Sequence, residues 1–389
     1  MLRRGVLNTL HNCNSSLPNS LNSVGWTVGW GFTTRCDLRC PFCYSSEVRH
    51  SLQLPELDIT QAEQFLAKNG KSIHAINFGT GECLLSPTFP LLLELCNKYA
   101  PHAQVAVTTN GTFADLSSNV LSAVTQYISE CDVSLDFAQP DEHDRWRGKK
   151  GIWQRAMTAI ELAIEFGLST SIVMIGTAQT LKEENIQGLL KISEAYQVAL
   201  RINLYMPTFG DYSFIPSIES VFTTLSILKT WSSAVCSSDR LIGNIIGNHG
   251  SDLYTETKRS CRILPDGSIS PSTYLIKAPW LIQSTLSNVV LTNILDTEPF
   301  IRYTSPPVPV DCEKCSMLPE CKGGSIERRW LWAHSLERPD PLCPKLYHAK
   351  HNIVPLLPKG KVLEKWPGPT IHLDYLPTII ALPLSSLKS

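Results

Sequence analysis

The sequence predicts an α/β protein in which a partial (β/α)6 barrel of parallel strands is followed by a small cysteine-rich domain. Two observations predict this fold class. Between residues 25 and 240, short apolar segments alternate with segments whose apolar residues recur every three or four positions, which is typical of βαβ units. Beyond residue 240, turn-forming residues dominate, and five of the thirteen cysteines occur there.

The predicted strands are short, apolar and mostly rich in β-branched or aromatic residues. They span residues 26–32, 73–78, 104–109, 132–137, 170–176 and 199–205. Six repeats without a clear seventh or eighth indicate an open or partial barrel. In such sheets we expect ligands at the carboxyl ends of the strands.

The predicted helices lie between these strands. Thr60-Gln-Ala-Glu63 resembles a capping box and predicts the start of the first helix. The other predicted helices span residues 88–99, 117–128, 153–166, 182–196 and 218–231.

We predict four parts of the chain. An N-terminal extension (1–24) precedes the barrel (25–240), and a cysteine-rich domain (241–348) precedes a proline-rich tail (349–389). The tail has six prolines and many aliphatic residues, so we expect it to wrap over the body or to meet a partner.

Composition excludes several classes of protein. The 34 lysines and arginines nearly balance the 35 aspartates and glutamates, which argues against binding of nucleic acid. The N-terminus lacks the apolar run of a signal peptide, and no apolar stretch is long enough to span a membrane. We therefore expect a cytoplasmic protein with reduced cysteines, in which clustered cysteines indicate metal binding or catalysis.

The first cysteine cluster follows the first predicted strand. It reads Cys36-Asp-Leu-Arg-Cys40-Pro-Phe-Cys43-Tyr44. Three thiolates at these spacings can hold three irons of a cubane cluster and leave the fourth iron open to a small ligand. The alternative is a zinc site that takes a fourth ligand from elsewhere, such as His50.

Small and polar residues follow the next three strands. Gly79-Thr80-Gly81-Glu82 follows the second strand, Thr108-Thr109-Asn110-Gly111 the third, and Ser134-Leu-Asp136 the fourth, with Arg147 further on. Small residues let the backbone approach a ligand, and a glutamate can accept hydrogen bonds from an ammonium group.

The CxxxCxxC spacing and these strand-end motifs, in this order, resemble the radical S-adenosylmethionine (SAM) superfamily. The resemblance implies a [4Fe–4S] cluster on Cys36, Cys40 and Cys43, with SAM bound to the open iron and cleaved to a 5′-deoxyadenosyl radical. It also implies that the Gly79–Glu82 motif, in which Thr80 replaces a glycine, binds the methionine amino group. The SAM contacts that it implies are Tyr44, Gly79, Thr80, Gly81, Glu82, Thr109, Asn110, Ser134, Asp136 and Arg147.

The second cysteine cluster supplies four thiolates, which would suffice for a structural zinc site. They are Cys312, Cys315, Cys321 and Cys343. Together with Cys261 and the glycine and proline residues around them, they resemble the SPASM or twitch extension of radical SAM enzymes. That extension usually has seven cysteines and two auxiliary clusters, but this chain has Ser272 and Ser325 at two of the positions. We predict one auxiliary [4Fe–4S] cluster, while ligation of a second through the two serines stays open.

The resemblance implies modification of a peptide, commonly a ribosomally made precursor. Hydrogen abstraction would lead to a cross-link, to dehydrogenation or to epimerisation, and we favour the cross-link. Epimerisation needs a hydrogen donor, usually a thiol. The candidate donors are Cys83, Cys236 and Cys261.

The expected partners are the precursor peptide and an electron donor such as flavodoxin or ferredoxin. The stretch before the first strand is short, so leader recognition would fall to the barrel, the tail or a separate leader-binding protein. One alternative is a radical SAM dehydrogenase or epimerase of a small molecule such as an aminocyclitol. A second alternative, from another class, is a non-catalytic zinc-binding scaffold.

Overall fold

The structure is a computed structural model that describes residues 25–46, 56–247, 259–351, 368, 371–374 and 376–387. The predicted N-terminal extension and His50 lie outside the described residues. Within the described part, no helix has both the length and the apolar character needed to cross a membrane.

Six parallel strands form the barrel sheet in chain order, which confirms the predicted partial (β/α)6 architecture. They are β1 (Trp26–Trp30), β2 (Ile73–Phe78), β3 (Gln104–Thr109), β4 (Glu130–Ser134), β5 (Ser169–Gly176) and β6 (Ala199–Leu204). β4 begins two residues earlier than predicted, because the polar Glu130 lies inside the protein, only 3% exposed.

Helices connect these strands. They are α1 (Ile59–Asn69), α2 (Phe89–Tyr99), α3 (Ser118–Thr125), α4 (Pro140–Arg147), α5 (Ile152–Glu165), α6 (Glu183–Tyr196), α7 (Ile218–Trp231) and α8 (Arg240–Ile246). The predicted Thr60 capping box is wrong. The N-cap is Asp58, whose side chain accepts a hydrogen bond from the backbone N–H of Thr60 at 2.9 Å, so α1 begins two residues earlier.

Four more strands extend the sheet to ten. They are β7 (Ala234–Ser237), β8 (Arg259–Ile263), β9 (Ile269–Ser270) and β10 (Thr378–Leu382). β8 lies parallel beside β1, and β9 is antiparallel to β8. The predicted tail contributes β10, which lies between β6 and β7 and is antiparallel to both. Its apolar, β-branched sequence is wholly buried, so this part of the tail belongs to the core.

The tail also reaches the barrel interior through a 3₁₀ turn at Ile371–Asp374. Ile371 packs against the alanines of β2 and β3. His372 Nε2 lies 3.3 Å from Glu130 Oε1 and forms an ion pair with Asp132 Oδ2. Arg201 Nη2 is 3.3 Å from the same aspartate oxygen. This buried network explains why polar residues occupy β4 and β6.

The cysteine-rich region consists of short helices and turns, as predicted. Its helices are α9 (Leu291–Ile294), α10 (Glu298–Thr304), α11 (Leu318–Cys321), α12 (Ile326–Leu331) and α13 (Pro344–His351). Asn69 at the end of α1 donates to Val289 O at 3.0 Å and accepts from Leu291 N at 2.9 Å, which joins this region to the barrel. The domain boundaries stay predictions.

Candidate active site

The carboxyl ends of the barrel strands surround an open cavity with about 1060 Å³ of space. All the residues that the sequence predicted as ligands of the SAM cluster or of SAM line it, except Thr80 and Asp136. These lining residues are Cys36, Cys40, Cys43, Tyr44, Gly79, Gly81, Glu82, Thr109, Asn110, Ser134 and Arg147. Segments far apart in the sequence therefore meet at one place, as expected for the ends of parallel strands.

The Gly79–Glu82 segment passes close to the cysteine loop. Gly81 has a φ of +65°, and a Cβ there would lie 2.5 Å from the carbonyl oxygen of Arg35 and 2.6 Å from that of Thr33. Only glycine fits this position without displacing backbone atoms. The close approach also lets the N–H of Glu82 donate to Arg35 O at 2.6 Å.

Glu82 is the acidic group of the cavity lining and is 1% exposed. Its Oε2 accepts from the N–H of Asn110 at 2.7 Å, whereas its Oε1 has no hydrogen-bond partner. Burial raises the pKa of Glu82 to about 7. A buried carboxylate with an unused oxygen is suited to accept hydrogen bonds from a ligand ammonium group.

Arg147 reaches the cavity from the end of α4. Its Nε and Nη2 donate to Asp136 Oδ2 at 2.8 and 2.7 Å, and its guanidinium lies 5.6 Å from the centre of the Phe42 ring. Asp136 Oδ1 accepts from the N–H of Ile175 at 2.9 Å. Asp136 is therefore a positioning residue behind the lining, which holds the arginine in place. Thr80 also lies behind the lining, where its hydroxyl accepts from Arg262.

Asp37 ties the cysteine loop to the barrel, a role that the sequence reasoning missed. It accepts hydrogen bonds from Asn110 at 3.0 Å, Lys149 at 2.7 Å and Arg155 at 2.6 Å. Burial raises the pKa of Asp37, but these donors outweigh burial and lower it to about 2. Asn110 Nδ2 also donates to Cys36 Sγ at 3.6 Å, which links the loop to the end of β3.

The three candidate hydrogen donors do not lie on the described cavity lining. Cys83, Cys236 and Cys261 are at most 2% exposed and pack with apolar residues of the core. Burial raises the pKa of Cys261 to about 12 and holds that of Cys83 well above its ordinary value. Their side chains behave as small buried hydrophobic groups, so we do not carry them forward as donors.

The four cysteines of the second cluster surround a second cavity, with about 820 Å³ of space. Cys312, Cys315, Cys321 and Cys343 line it together with residues of α8. Lys345 Nζ donates to Cys315 Sγ at 3.3 Å. Four thiols around one cavity suit a tetrahedral metal or a fully ligated cubane.

Arg329 indicates that this site suits a group of negative charge. Its side chain is fully buried and donates to the carbonyl oxygens of Arg338 at 3.0 Å and Pro307 at 2.7 Å. Its Nη1 has no hydrogen-bond partner, and no carboxylate of the described residues forms an ion pair with it. Four thiolates around iron carry excess negative charge, so a buried guanidinium nearby fits such a cluster.

A buried ion-pair triad holds the loop that carries these cysteines, and the sequence analysis did not predict it. Arg328 pairs with Asp340 and with Asp239, and all three side chains are 1% exposed. Asp340 also accepts from the N–H groups of Ser325 at 2.7 Å and Leu342 at 2.9 Å. The signals for it were an arginine pair and an aspartate between prolines, which are too common to indicate a contact.

Ser272 and Ser325 occupy the two positions at which the SPASM extension has cysteines. Both serines donate hydrogen bonds to a carboxylate. Their hydroxyls donate to Glu327 at 2.7 and 2.8 Å, and Tyr303 donates to it at 2.9 Å. Glu327 is 3% exposed. Glu327 accepts from all three of these hydroxyl groups, so Ser272 and Ser325 do not fit as ligands of a second auxiliary cluster.

Comparison with known proteins agrees with this site. Residues 30–190 match the sequence model of the radical SAM superfamily. Mycofactocin maturase MftC of Mycobacterium ulcerans (strain Agy99) is 22% identical over 337 residues, which cover 82% of this chain and 88% of that protein.

Two solved structures share the fold. The structure of anSMEcpe with bound AdoMet and the Cp18Cys peptide aligns with a TM-score of 0.65 at 17% identity, over 84% of this chain and 99% of that chain. Streptococcus suis SuiB bound to precursor peptide SuiA aligns with a TM-score of 0.60 at 17% identity, over 82% of this chain and 76% of that one. The chain thus contains a radical SAM domain over residues 30–190, and enzymes with this domain use a [4Fe–4S] cluster and SAM as cofactors.

Proposed function

We propose that this protein modifies a ribosomally made precursor peptide by radical SAM chemistry. The observation that carries the proposal is the first cavity, which joins three cysteine thiols to the unused oxygen of a buried glutamate. A maturase, MftC, is similar over 82% of the chain. The peptide complexes of two proteins with this fold add further support.

The residues of the first cavity have separate tasks in this proposal. Cys36, Cys40 and Cys43 would hold the cluster, which when bound would supply the electron for cleavage of SAM to a 5′-deoxyadenosyl radical. Glu82 accepts hydrogen bonds from the amino group of SAM, and Arg147, fixed by Asp136, binds an anionic oxygen. The stacked rings of Phe42 and Trp146, 4.6 Å apart, shield this side from water.

Cys312, Cys315, Cys321 and Cys343 hold one auxiliary cluster. Because four thiolates complete its ligation, we assign it the role of electron relay or structural staple. The hydrogen bonds from Ser272 and Ser325 to Glu327 support a single auxiliary cluster.

The favoured modification is a cross-link. One hydrogen atom of the peptide passes to the 5′-deoxyadenosyl radical, and the carbon radical joins a second side chain, which then loses one proton and one electron. A flavodoxin or ferredoxin supplies the electron that cleaves SAM, and a one-electron acceptor of the same class takes up the electron that the product releases. Epimerisation has less support, because the candidate donor thiols lie in the core. A separate leader-binding protein and a cytoplasmic location complete the proposal, and the latter is consistent with twelve cysteines that form no disulfide bond among the described residues.

The test is anaerobic reconstitution with iron and sulfide, followed by addition of SAM and dithionite. We expect formation of 5′-deoxyadenosine by the wild type and none by Cys36→Ala. Cys96→Ala is the matched control, because Cys96 is a buried core residue of α2. Bound zinc without iron would contradict the proposal.

The substrate class needs a second measurement, with a short peptide encoded beside the gene. A cross-link removes two hydrogen atoms from the mass of the peptide, whereas epimerisation in D2O leaves deuterium at one carbon. Turnover of an aminocyclitol, with no change in any such peptide, would favour the small-molecule alternative.

A further inference from the structure

Two parts of the chain form the walls of the first cavity. One wall comes from residues 30–190, the segment that matches the superfamily and carries the predicted cofactor ligands. The other wall comes from β6, β8 and the chain that follows, and its polar members are Arg201, Asn203, Arg262, Thr273 and Tyr274. A superfamily with one shared cofactor and many reactions needs its substrate contacts outside the shared segment. Substrate recognition is therefore expected at the second wall.

Arg262 of β8 is a buried cation on this second wall. Its side chain is 1% exposed, and its Nη2 donates to the hydroxyl of Tyr44 at 3.2 Å and to that of Thr80. Its Nε has no hydrogen-bond partner, and no carboxylate of the described residues forms an ion pair with it. Arginine stays protonated, so an anion that enters the cavity would stabilise this charge, which has no carboxylate partner in the described part of the chain.

The other two buried arginines of the lining are already balanced. Arg147 is paired with Asp136 at 2.7 Å, and Arg201 with Asp132 at 3.3 Å. Glu82 is the acidic residue of the described lining, and it lies on the first wall. The second wall therefore carries an excess of positive charge.

Neutral polar groups on the second wall are also unsatisfied. Thr273 Oγ1 and Asn203 Oδ1 are buried and have no hydrogen-bond partner among the described residues. Tyr274 packs edge-on against Tyr44, with ring centres 5.7 Å apart, so the wall is rigid beside Arg262. Unsatisfied polar atoms around an unbalanced guanidinium make a site for a carboxylate with hydrogen-bonding neighbours.

We propose that Arg262 binds a carboxylate of the substrate peptide, either an acidic side chain or the C-terminal group. This inference rests on the proposed peptide-modifying function and names what the substrate must present. Arg262 then makes a charge-assisted contact that an amide of the same shape cannot replace.

The test measures binding of short peptides to the reconstituted wild type with SAM present, by calorimetry. The probes are acetyl-Ala-Asp-Ala-amide against acetyl-Ala-Asn-Ala-amide, and acetyl-Ala-Ala-Ala as free acid against its amide. We expect the aspartate or the free acid to bind about tenfold more tightly than its neutral counterpart. The preferred pair identifies the source of the carboxylate.

Arg262→Gln should abolish this preference, and Arg262→Lys should restore part of it. Arg302→Gln is the control, and it should keep the preference, because Arg302 pairs with Glu298 at the surface and is not part of the cavity lining. Thermal unfolding without ligand gives an independent readout. Arg262→Gln should not lower the midpoint, since it removes an unbalanced buried charge, whereas Arg201→Gln should lower it, since it leaves Asp132 buried without its arginine.

Equal binding of acids and amides by the wild type would overturn the inference. It would also be overturned if Arg262→Gln weakened SAM binding tenfold and kept the peptide preference, since the guanidinium would then serve SAM. Failure of the wild type to cleave SAM would instead refute the proposed function, so the two failures are distinguishable.

Discussion

Replacement of Arg328 by methionine tests how the second cysteine site is held together. Arg328 Nε donates to both carboxylate oxygens of Asp340 at 2.9 and 3.0 Å, its Nη2 donates to Oδ2 at 2.6 Å, and its Nη1 pairs with Asp239. Methionine keeps much of the side-chain volume but removes every one of these contacts. Two buried carboxylates would remain without the cation that balances them.

The expected loss of stability is large. Removing one partner of a buried ion pair costs about 3–5 kcal/mol, because the other charge is left uncompensated. At about 2–4 °C per kcal/mol, the unfolding midpoint should fall by about 6–20 °C. Asp340 lines the cavity and also accepts from the N–H groups of Leu342 and Ser325, so the site should lose its metal at the same time.

The assay is thermal unfolding by circular dichroism, together with the iron content after reconstitution. Arg302→Met is the matched control, because Arg302 pairs with Glu298 at the surface of the same region, where the two side chains are 37% and 66% exposed. An exposed pair contributes about 0–1 kcal/mol, so this control should keep both its midpoint and its iron. An Arg328→Met protein that matched the control in both measurements would refute the reasoning.

Three further predictions follow from the site and from the tail. Gly81→Ala should abolish formation of 5′-deoxyadenosine, because its Cβ would meet the carbonyl of Arg35 at 2.5 Å; normal turnover would contradict this close approach. The reconstituted wild type should bind about eight irons per chain and Cys315→Ala about four, since each cubane holds four; about twelve in the wild type would mean a second auxiliary cluster. Burial and Arg201 lower the pKa of His372, but Asp132 and Glu130 outweigh them and raise it above 6.5. The stabilisation by charged His372 should therefore be complete below about pH 6.5 and become weaker at higher pH. The loss in free energy of unfolding caused by His372→Gln, measured by urea unfolding, should then become smaller as the pH rises. A constant loss across pH would argue against a charged His372.

The sequence alone determined the barrel and most of the first cavity. Strand and helix periods are local properties, and they predicted β2 and β3 to the residue. Cysteine spacing is also local, and it identified both clusters. The motifs at the strand ends could be assigned to one site from the sequence, because parallel strands bring their carboxyl ends to one edge of the sheet.

Only the tertiary structure decided which charged side chains have a partner of opposite charge and where each thiol lies. No sequence pattern singled out Arg262, and its lack of a carboxylate partner among the described residues is a property of its surroundings. Asp37 and Arg155 are joined across 118 residues, and Arg328 and Asp239 across 89, without any periodic signal. Cys261 faces the core and not the cavity because of its place in β8. Such contacts depend on the positions of distant elements after packing, so no local pattern in the chain contains them.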